Sequence, residues 1–276
     1  MINDFSACLM LSCHNEKHLQ KIPTLDAQCI MLNLEDGVSK EAKPKALELC
    51  CKYLELYKEL DIMFVVRVNA LDEGGLDEIL KLNPYHPDAI RVAKIKTKED
   101  VQTALDALSP QIKLHLSIET AQAWNNLATL RVHPRVTTFY LGVLDLFAEL
   151  NLPQSIIKPT NSTMQYILSH FLVTSLSIGV KPVSFVFQEY KNLDIFQQWL
   201  ELEKQMGYRA KGCISPTQVS LANAVFKQDN AELKKAKKII ELFEKQKSLG
   251  ITGFSDEEFG FIDEPIYKGA LAILDR

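Results

Sequence analysis

Cys29-Ile30-Met31-Leu32-Asn33-Leu34-Glu35-Asp36-Gly37 decides the fold class. The first six of these residues are apolar except Asn33, as a parallel strand covered on both faces has to be. Two carboxylates and a glycine then end the run. Ser39 offers an N-cap for a helical pattern that runs to about Leu60, with Ala46, Leu47, Leu49 and Cys50 on its apolar side. Pro44 falls early enough to mark the first turn. Strand, turn and helix form one βα unit, and the chain on either side repeats it.

Upstream, residues 8–13 read as a strand and 15–25 as its helix. Downstream, strands are expected at 62–68, 89–95, 113–118, 137–141, 182–187 and 212–214. Their helices are expected to end near Leu82, then to cover 101–108 behind a Thr97/Asp100 capping pair, 121–130, 163–178, 193–206 and 218–226. The sixth helix should start late, after a long loop holding Pro153 and Pro159. Eight consecutive strand–helix units imply a closed parallel (β/α)8 barrel rather than an open doubly wound sheet. The barrel is expected over residues 1–228, with a C-terminal helical extension over 229–276. That extension holds a helix at 230–248 and a tail with a short helix near 267–274. The tail carries Phe254, Phe259, Phe261, Ile262 and Tyr267, too much apolar surface to stay solvated, so it is expected to pack on a neighbouring subunit, the bland alternative being its own barrel's outer helices.

A chain of 276 residues with 47% hydrophobic composition can bury such a core. A formal charge of −4 gives no footprint for nucleic acid. The basic run Lys234, Lys235, Lys237 and Lys238 alternates with Leu233, Ala236, Ile239 and Ile240 at helical spacing, which reads as the solvated face of a helix. No run of eighteen apolar residues is present, so no membrane span is expected, and no secretion signal opens the chain. A cytoplasmic enzyme is the expectation. The six cysteines, with no CxxC pair, read as small buried hydrophobes, not disulfides or zinc ligands.

In a barrel of this kind the active site forms at the carboxyl ends of the strands. Glu35, Asp36, Arg67, Lys94, Glu119 and Asp145 all fall there. Charges gathered at one end of apolar strands are costly to bury unless they pair or bind a ligand. Glu119 and Asp145 stand one unit apart and suit a hard cation such as Mg2+, which takes one or two carboxylates and leaves its other positions to water and substrate. Arg67 could clamp a substrate carboxylate in two-point contact. The bland alternative is an ion-pair network in which Arg67 and Lys94 neutralise Glu35, Glu119 and Asp145. Lys94 could instead form a Schiff base. His14 sits at the catalytic end as a weaker candidate, and His115 lies mid-strand as a core histidine.

Seven segments in order resemble the HpcH/HpaI aldolase and citrate lyase beta-subunit superfamily. They are Leu34-Glu35-Asp36-Gly37-Val38, Val65-Val66-Arg67-Val68-Asn69, Ala93-Lys94, Ile118-Glu119-Thr120-Ala121, Leu141-Gly142 with Asp145-Leu146, Ile214-Ser215-Pro216-Thr217-Gln218-Val219, and Gly260-Phe261-Ile262-Asp263 with Pro265. The resemblance implies a barrel, a homotrimer, and Mg2+ held by Glu119 and Asp145. It implies carbon–carbon cleavage of a 3-hydroxy acyl thioester (citryl-, citramalyl- or malyl-like) to an oxo acid and an acyl thioester. Glu35, Asp36, Arg67 and Lys94 would bind substrate, and the thioester would be carried by CoA or an acyl carrier protein. In the family's CoA lyases an aspartate from a neighbour's C-terminal segment moves the proton at the acyl carbon, and Asp263 matches it. Four positions depart from the family: Asn33 for Asp, Ser215 for His, Ala93 for Pro, and Leu144 for an acid. These leave two alternatives in view, an oxo-acid aldolase releasing pyruvate or oxaloacetate without a thioester, and a degenerate non-catalytic barrel.

Overall fold

Side-chain alternation along the strands sorts their residues onto two faces, and both faces are buried. The computed structural model describes residues 5–227 and 230–274. Its strands are β1 (Ala7–Ser12), β2 (Cys29–Asn33), β3 (Met63–Val68), β4 (Ala89–Val92), β5 (Lys113–Ile118), β6 (Val136–Leu141), β7 (Lys181–Val183) and β8 (Lys211–Cys213). All pair in parallel, in the order β7-β6-β5-β4-β3-β2-β1-β8. The ring closes between β7 and β8 through a parallel bridge at Ser184 and Lys211, where Ser184 N donates to Ala210 O at 3.0 Å and Gly212 N to Ser184 O at 3.2 Å. The expected (β/α)8 barrel is the architecture found.

Inside the barrel lies a small apolar cluster that includes Cys8, Cys29, Met31, Val65, Ala89, Tyr140 and Val183. The alternate residues, such as Leu9, Ile30, Leu32, Val66, Ile90 and Leu116, face outward into the larger core beneath the helices. Each large side chain fully buried there contributes roughly 1.5–3 kcal/mol. This two-sided burial is why the strands read as near-continuous apolar runs.

The barrel helices are α1 (Glu16–Leu19), α2 (Lys43–Tyr57), α3 (Gly75–Leu82), α4 (Lys98–Ala107), α5 (Ala121–Asn126), α6 (Val143–Glu149), α7 (Ser162–Ser177), α8 (Leu193–Met206) and α9 (Pro216–Phe226). The Thr97/Asp100 capping box forms as expected. Ser39 does not cap α2. That helix starts at Lys43 behind Ala42 with Pro44 in its first turn, and the Ser39 carbonyl instead accepts from Ala42 N and Lys43 N in the preceding turn. The largest departure is α6, which begins two residues after β6 where a long loop is expected. Pro153 and Pro159 follow it. β4 is also shorter than expected, because Lys94 turns out of the sheet with φ +54. No helix among the described residues is long and apolar enough to cross a membrane.

From Lys227 onward the chain forms a second compact unit. It holds α10 (Asn230–Ser248), the antiparallel hairpin β9 (Gly253–Asp256) and β10 (Gly260–Asp263), and α11 (Glu264–Leu274). The hairpin is absent from the sequence reading. Asp256 Oδ1 accepts from the backbone N–H groups of Glu258 and Phe259, and Gly260 takes φ +71 to complete the turn. Ala236, Ile239, Phe243, Ile262 and Ala270 form this unit's own core, with Tyr267 stacked on Phe243. The lysines of α10 stay on its solvated face, and Lys238 pairs with Glu258 at 2.6 Å.

Candidate active site

The loop after β2 is built by its own polar side chains. Asn33 Nδ2 donates to Asp36 O at 2.6 Å, and Asp36 N donates to Glu35 Oε2 at 2.5 Å. Asn33, where the family resemblance expects an acid, therefore braces the turn that aims Glu35 inward. Glu35 Oε2 lies 2.6 Å from Arg67 Nη2, and both side chains are buried. Glu35 Oε1 accepts no hydrogen bond and lies 3.7 Å from Lys94 Nζ. Asp36 stays exposed, 3.8 Å from Arg67. One turn back, Asn69 is fixed by Glu78, Leu34 O and Lys43, so the end of β3 is rigid.

Glu119 follows β5 and is fully buried. Its Oε1 accepts from Lys94 N at 2.7 Å, a bond that the left-handed backbone of Lys94 makes possible, and its Oε2 lies 3.6 Å from Arg67 Nη2. Gly142, after β6, must be glycine here: a Cβ would sit 2.5 Å from Glu119 Cβ and 2.6 Å from Oε2. Asp145 comes next, in the first turn of α6, where the helix dipole tolerates an acid. Asp145 is half-buried and forms no hydrogen bond or ion pair with the described residues. Burial, then the charges of Glu119 and Asp36, hold its carboxyl above the ordinary aspartate value. Excess negative charge at this spot is what a bound cation would relieve.

Asp36, Arg67, Glu119 and Asp145 line one cavity of about 330 Å3, together with Arg91 and Gln188 among others. Among the described residues no three His, Cys, Asp or Glu side chains gather closely enough to cage an ion by themselves. Two carboxylates on an open cavity nevertheless fit Mg2+, which leaves its remaining positions to water and substrate. Lys94 is poorly suited to Schiff-base work. Burial pulls its ammonium down, but Glu35 and Glu73 more than offset that and hold it above its ordinary value, the reverse of what an amine nucleophile needs.

Other candidates fall elsewhere. His14 is exposed and accepts or donates at 2.7 Å to Ser12 Oγ. His115 is buried inside the barrel beside Tyr140, and burial pulls its imidazole down to about 3, so it is neutral. Ser215, in place of the family's His, accepts from Gln218 N at 3.2 Å and so starts α9. Asp263 belongs to the C-terminal unit, where its Oδ1 accepts from Ile266 N at 3.2 Å at the head of α11. Arg91 and Gln188 were missed by the sequence reading. An arginine at an alternate position of Ala89-Ile90-Arg91-Val92 was the available signal.

A closed parallel barrel with acids converging at its carboxyl-end mouth has the arrangement of an enzyme barrel. The family model for HpcH/HpaI aldolase/citrate lyase matches residues 7–216, and the chain belongs to that family. A (3S)-malyl-CoA thioesterase of Cereibacter sphaeroides is 32% identical over 247 residues, 89% of this chain and 85% of that protein. The mitochondrial citramalyl-CoA lyase of Homo sapiens is 26% identical over 286 residues, covering 96% and 83%. Among solved structures, a citrate lyase from Burkholderia xenovorans LB400 superposes with a TM-score of 0.83 at 17% identity, covering 98% of this chain and 90% of that one. The citrate lyase beta subunit of Mycobacterium tuberculosis complexed with oxaloacetate and magnesium gives 0.71 at 19%, covering 82% and 98%.

Proposed function

We propose that this barrel is a Mg2+-dependent carbon–carbon lyase that cleaves a 3-hydroxy acyl-CoA thioester to an oxo acid and an acyl thioester. One observation carries the reading: Glu119 and Asp145, on consecutive units, face one cavity with Arg67, and Asp145 has no protein partner there. An ion-pair network would have neutralised Asp145; instead its acid is left in excess. Glu119 and Asp145 would hold the metal. Mg2+ bound there supplies Lewis-acid polarisation of the substrate's oxygen at the bond to be broken. Arg67, held by Glu35, fixes the carboxylate next to that oxygen. Lys94 adds a positive charge beside Glu35. As the carbon–carbon bond breaks, the substrate's hydroxyl gives its proton to solvent and becomes the carbonyl of the oxo acid, while the bond's electron pair stays on the carbon next to the thioester, which then takes a proton. We assign that proton to Asp263 of a neighbouring subunit in a homotrimer, on the motif it shares with the family.

Purified protein with Mg2+ and citryl-CoA, citramalyl-CoA or (3S)-malyl-CoA should release an oxo acid from at least one of them, and Glu119→Gln with Asp145→Asn should abolish both that release and any Mg2+-dependent rise in melting temperature. An unchanged metal shift in the double variant would sink the metal site. Mixing inactive Asp263→Asn subunits with inactive Glu119→Gln subunits should recover part of the activity if sites are shared. Mixed oligomers that form and stay inactive would show that Asp263 does not act in trans. A second reading, thioester hydrolysis of the same substrate, is favoured by the 32% identity to a malyl-CoA thioesterase. The products separate them: hydrolysis gives free CoA thiol and the intact hydroxy acid, and no oxo acid.

A further inference from the structure

Arg91 is a buried cation that forms no ion pair with any described residue. It lies on β4 level with Arg67 on β3, so the two guanidinium groups spring from adjacent strands, about 4.8 Å apart at the backbone. Its Nε donates to Ser117 Oγ at 2.7 Å, and its Nη1 points to Met31 Sδ at 3.4 Å. Its plane lies over the Tyr140 ring, 4.4 Å from the ring centre. Those contacts lock the group, while Nη2 makes no hydrogen bond with the described residues and Arg91 lines the same cavity as Arg67, Glu119 and Asp145. Burial, then the neighbouring charge of Arg67, pull it down to about 10, so it is still charged at neutral pH.

The two arginines differ in what they lack. Arg67 has Glu35 at 2.6 Å and Glu119 at 3.6 Å. Arg91 has a hydroxyl, a thioether and a ring, none of which needs a guanidinium as partner. No carboxylate of the described residues lies within ion-pair distance of Arg91, and the charge of Glu119 only partly offsets its burial, so a ligand carboxylate would lower the remaining cost. The planar fork matches a carboxylate. We propose that Arg91 takes a second carboxylate of the substrate, so that the site prefers a 2-oxo dicarboxylate to a 2-oxo monocarboxylate. This rests on the reading of the mouth as a Mg2+ and oxo-acid centre in which Arg67 takes the first carboxylate. A cavity of about 330 Å3 has room for a short diacid spanning both groups.

Titration calorimetry in Mg2+ with freshly dissolved oxaloacetate and with pyruvate tests it. The intact protein should bind oxaloacetate roughly tenfold or more tightly than pyruvate. Arg91→Met should remove about that factor from oxaloacetate and less than about threefold from pyruvate. Arg91→Lys, which keeps the charge without the fork, should retain an intermediate preference. Pyruvate binding without any preference in the intact protein overturns this proposal and leaves the Mg2+ and oxo-acid site standing. A preference that survives in Arg91→Met overturns it equally. If neither oxo acid binds in Mg2+, the reading of the site fails and this proposal with it.

Discussion

Two buried clusters of paired charges belong to this barrel, one around Lys211 and one at the mouth, where the charges border a cavity. Lys211 Nζ and Ser184 Oγ each lie 2.6 Å from Glu203 Oε1, with all three residues buried. The Lys211 ammonium lies 4.1 Å from the Phe185 ring centre and 5.8 Å from that of Phe196. One acid meets one cation and one hydroxyl under two aromatic rings. At the mouth, Arg67, Arg91 and Lys94 stand against Glu35, Asp36, Glu119 and Asp145, and Asp36, Arg67, Arg91, Glu119 and Asp145 line an open cavity. Burial and ion pairing are common to both, so neither marks a functional site. What separates them is balance: Lys211 and Glu203 match one to one, although Glu203 Oε2 takes no hydrogen bond from the described residues, and the mouth carries one more acid than cations beside empty volume.

The comparison breaks first at Lys211. Lys211→Met strands Glu203 as a buried carboxylate, and urea denaturation should show a loss of about 3–5 kcal/mol. Adding Glu203→Leu should restore most of it, with the Mg2+ response intact. A single variant as stable as the parent would show that this pair is not sealed. Next comes Gly142→Ala, which forces a methyl against Glu119. Overpacking there should cost about 1–3 kcal/mol without metal and weaken the Mg2+-dependent melting shift; a full shift would mean that Glu119 is free to move. Arg67→Lys keeps the charge and loses the fork, so calorimetry should find oxo-acid affinity down roughly tenfold, about 1.4 kcal/mol. Equal affinity would rule out a two-point clamp.

The mildest probe is His115, a barrel-interior group that belongs to neither cluster. Its folded-state value is lowered to about 3, against about 6.5 unfolded. The unfolded chain therefore binds the proton first, and stability present above about pH 6.5 is lost as pH falls. The loss should reach about 1.4 kcal/mol near pH 5.5. His115→Gln should flatten that part of the stability profile. An unaltered slope would assign the acid sensitivity to other groups.

Much of this was legible in the chain. Strands buried on both faces cannot avoid apolar runs, so all eight showed themselves, with edges off by a few residues. Glu35, Arg67, Glu119 and Asp145 were legible because a charge at the end of such a run has few structural excuses. α6 was not, because Val143–Glu149 is short and the prolines beyond it read as loop. The hairpin 253–263 was hidden for a similar reason: its strands are four residues long and mostly exposed, without a sustained alternation.

By itself the sequence determined the barrel, the order of its units and the set of acids at the strand ends. Those follow from local periodicity and from side-chain chemistry, which a chain carries without being folded. Only the tertiary structure decided which charges are matched. Arg67 and Arg91 look alike as letters in neighbouring strands, yet one is held by Glu35 and the other makes no ion pair with the described residues. Lys211 and Lys94 look alike too, yet one is buried against Glu203 and the other is shared between Glu35 and Glu73. The physical reason is that electrostatic balance depends on through-space distance and on exclusion of water, and both are set by residues far apart in the chain.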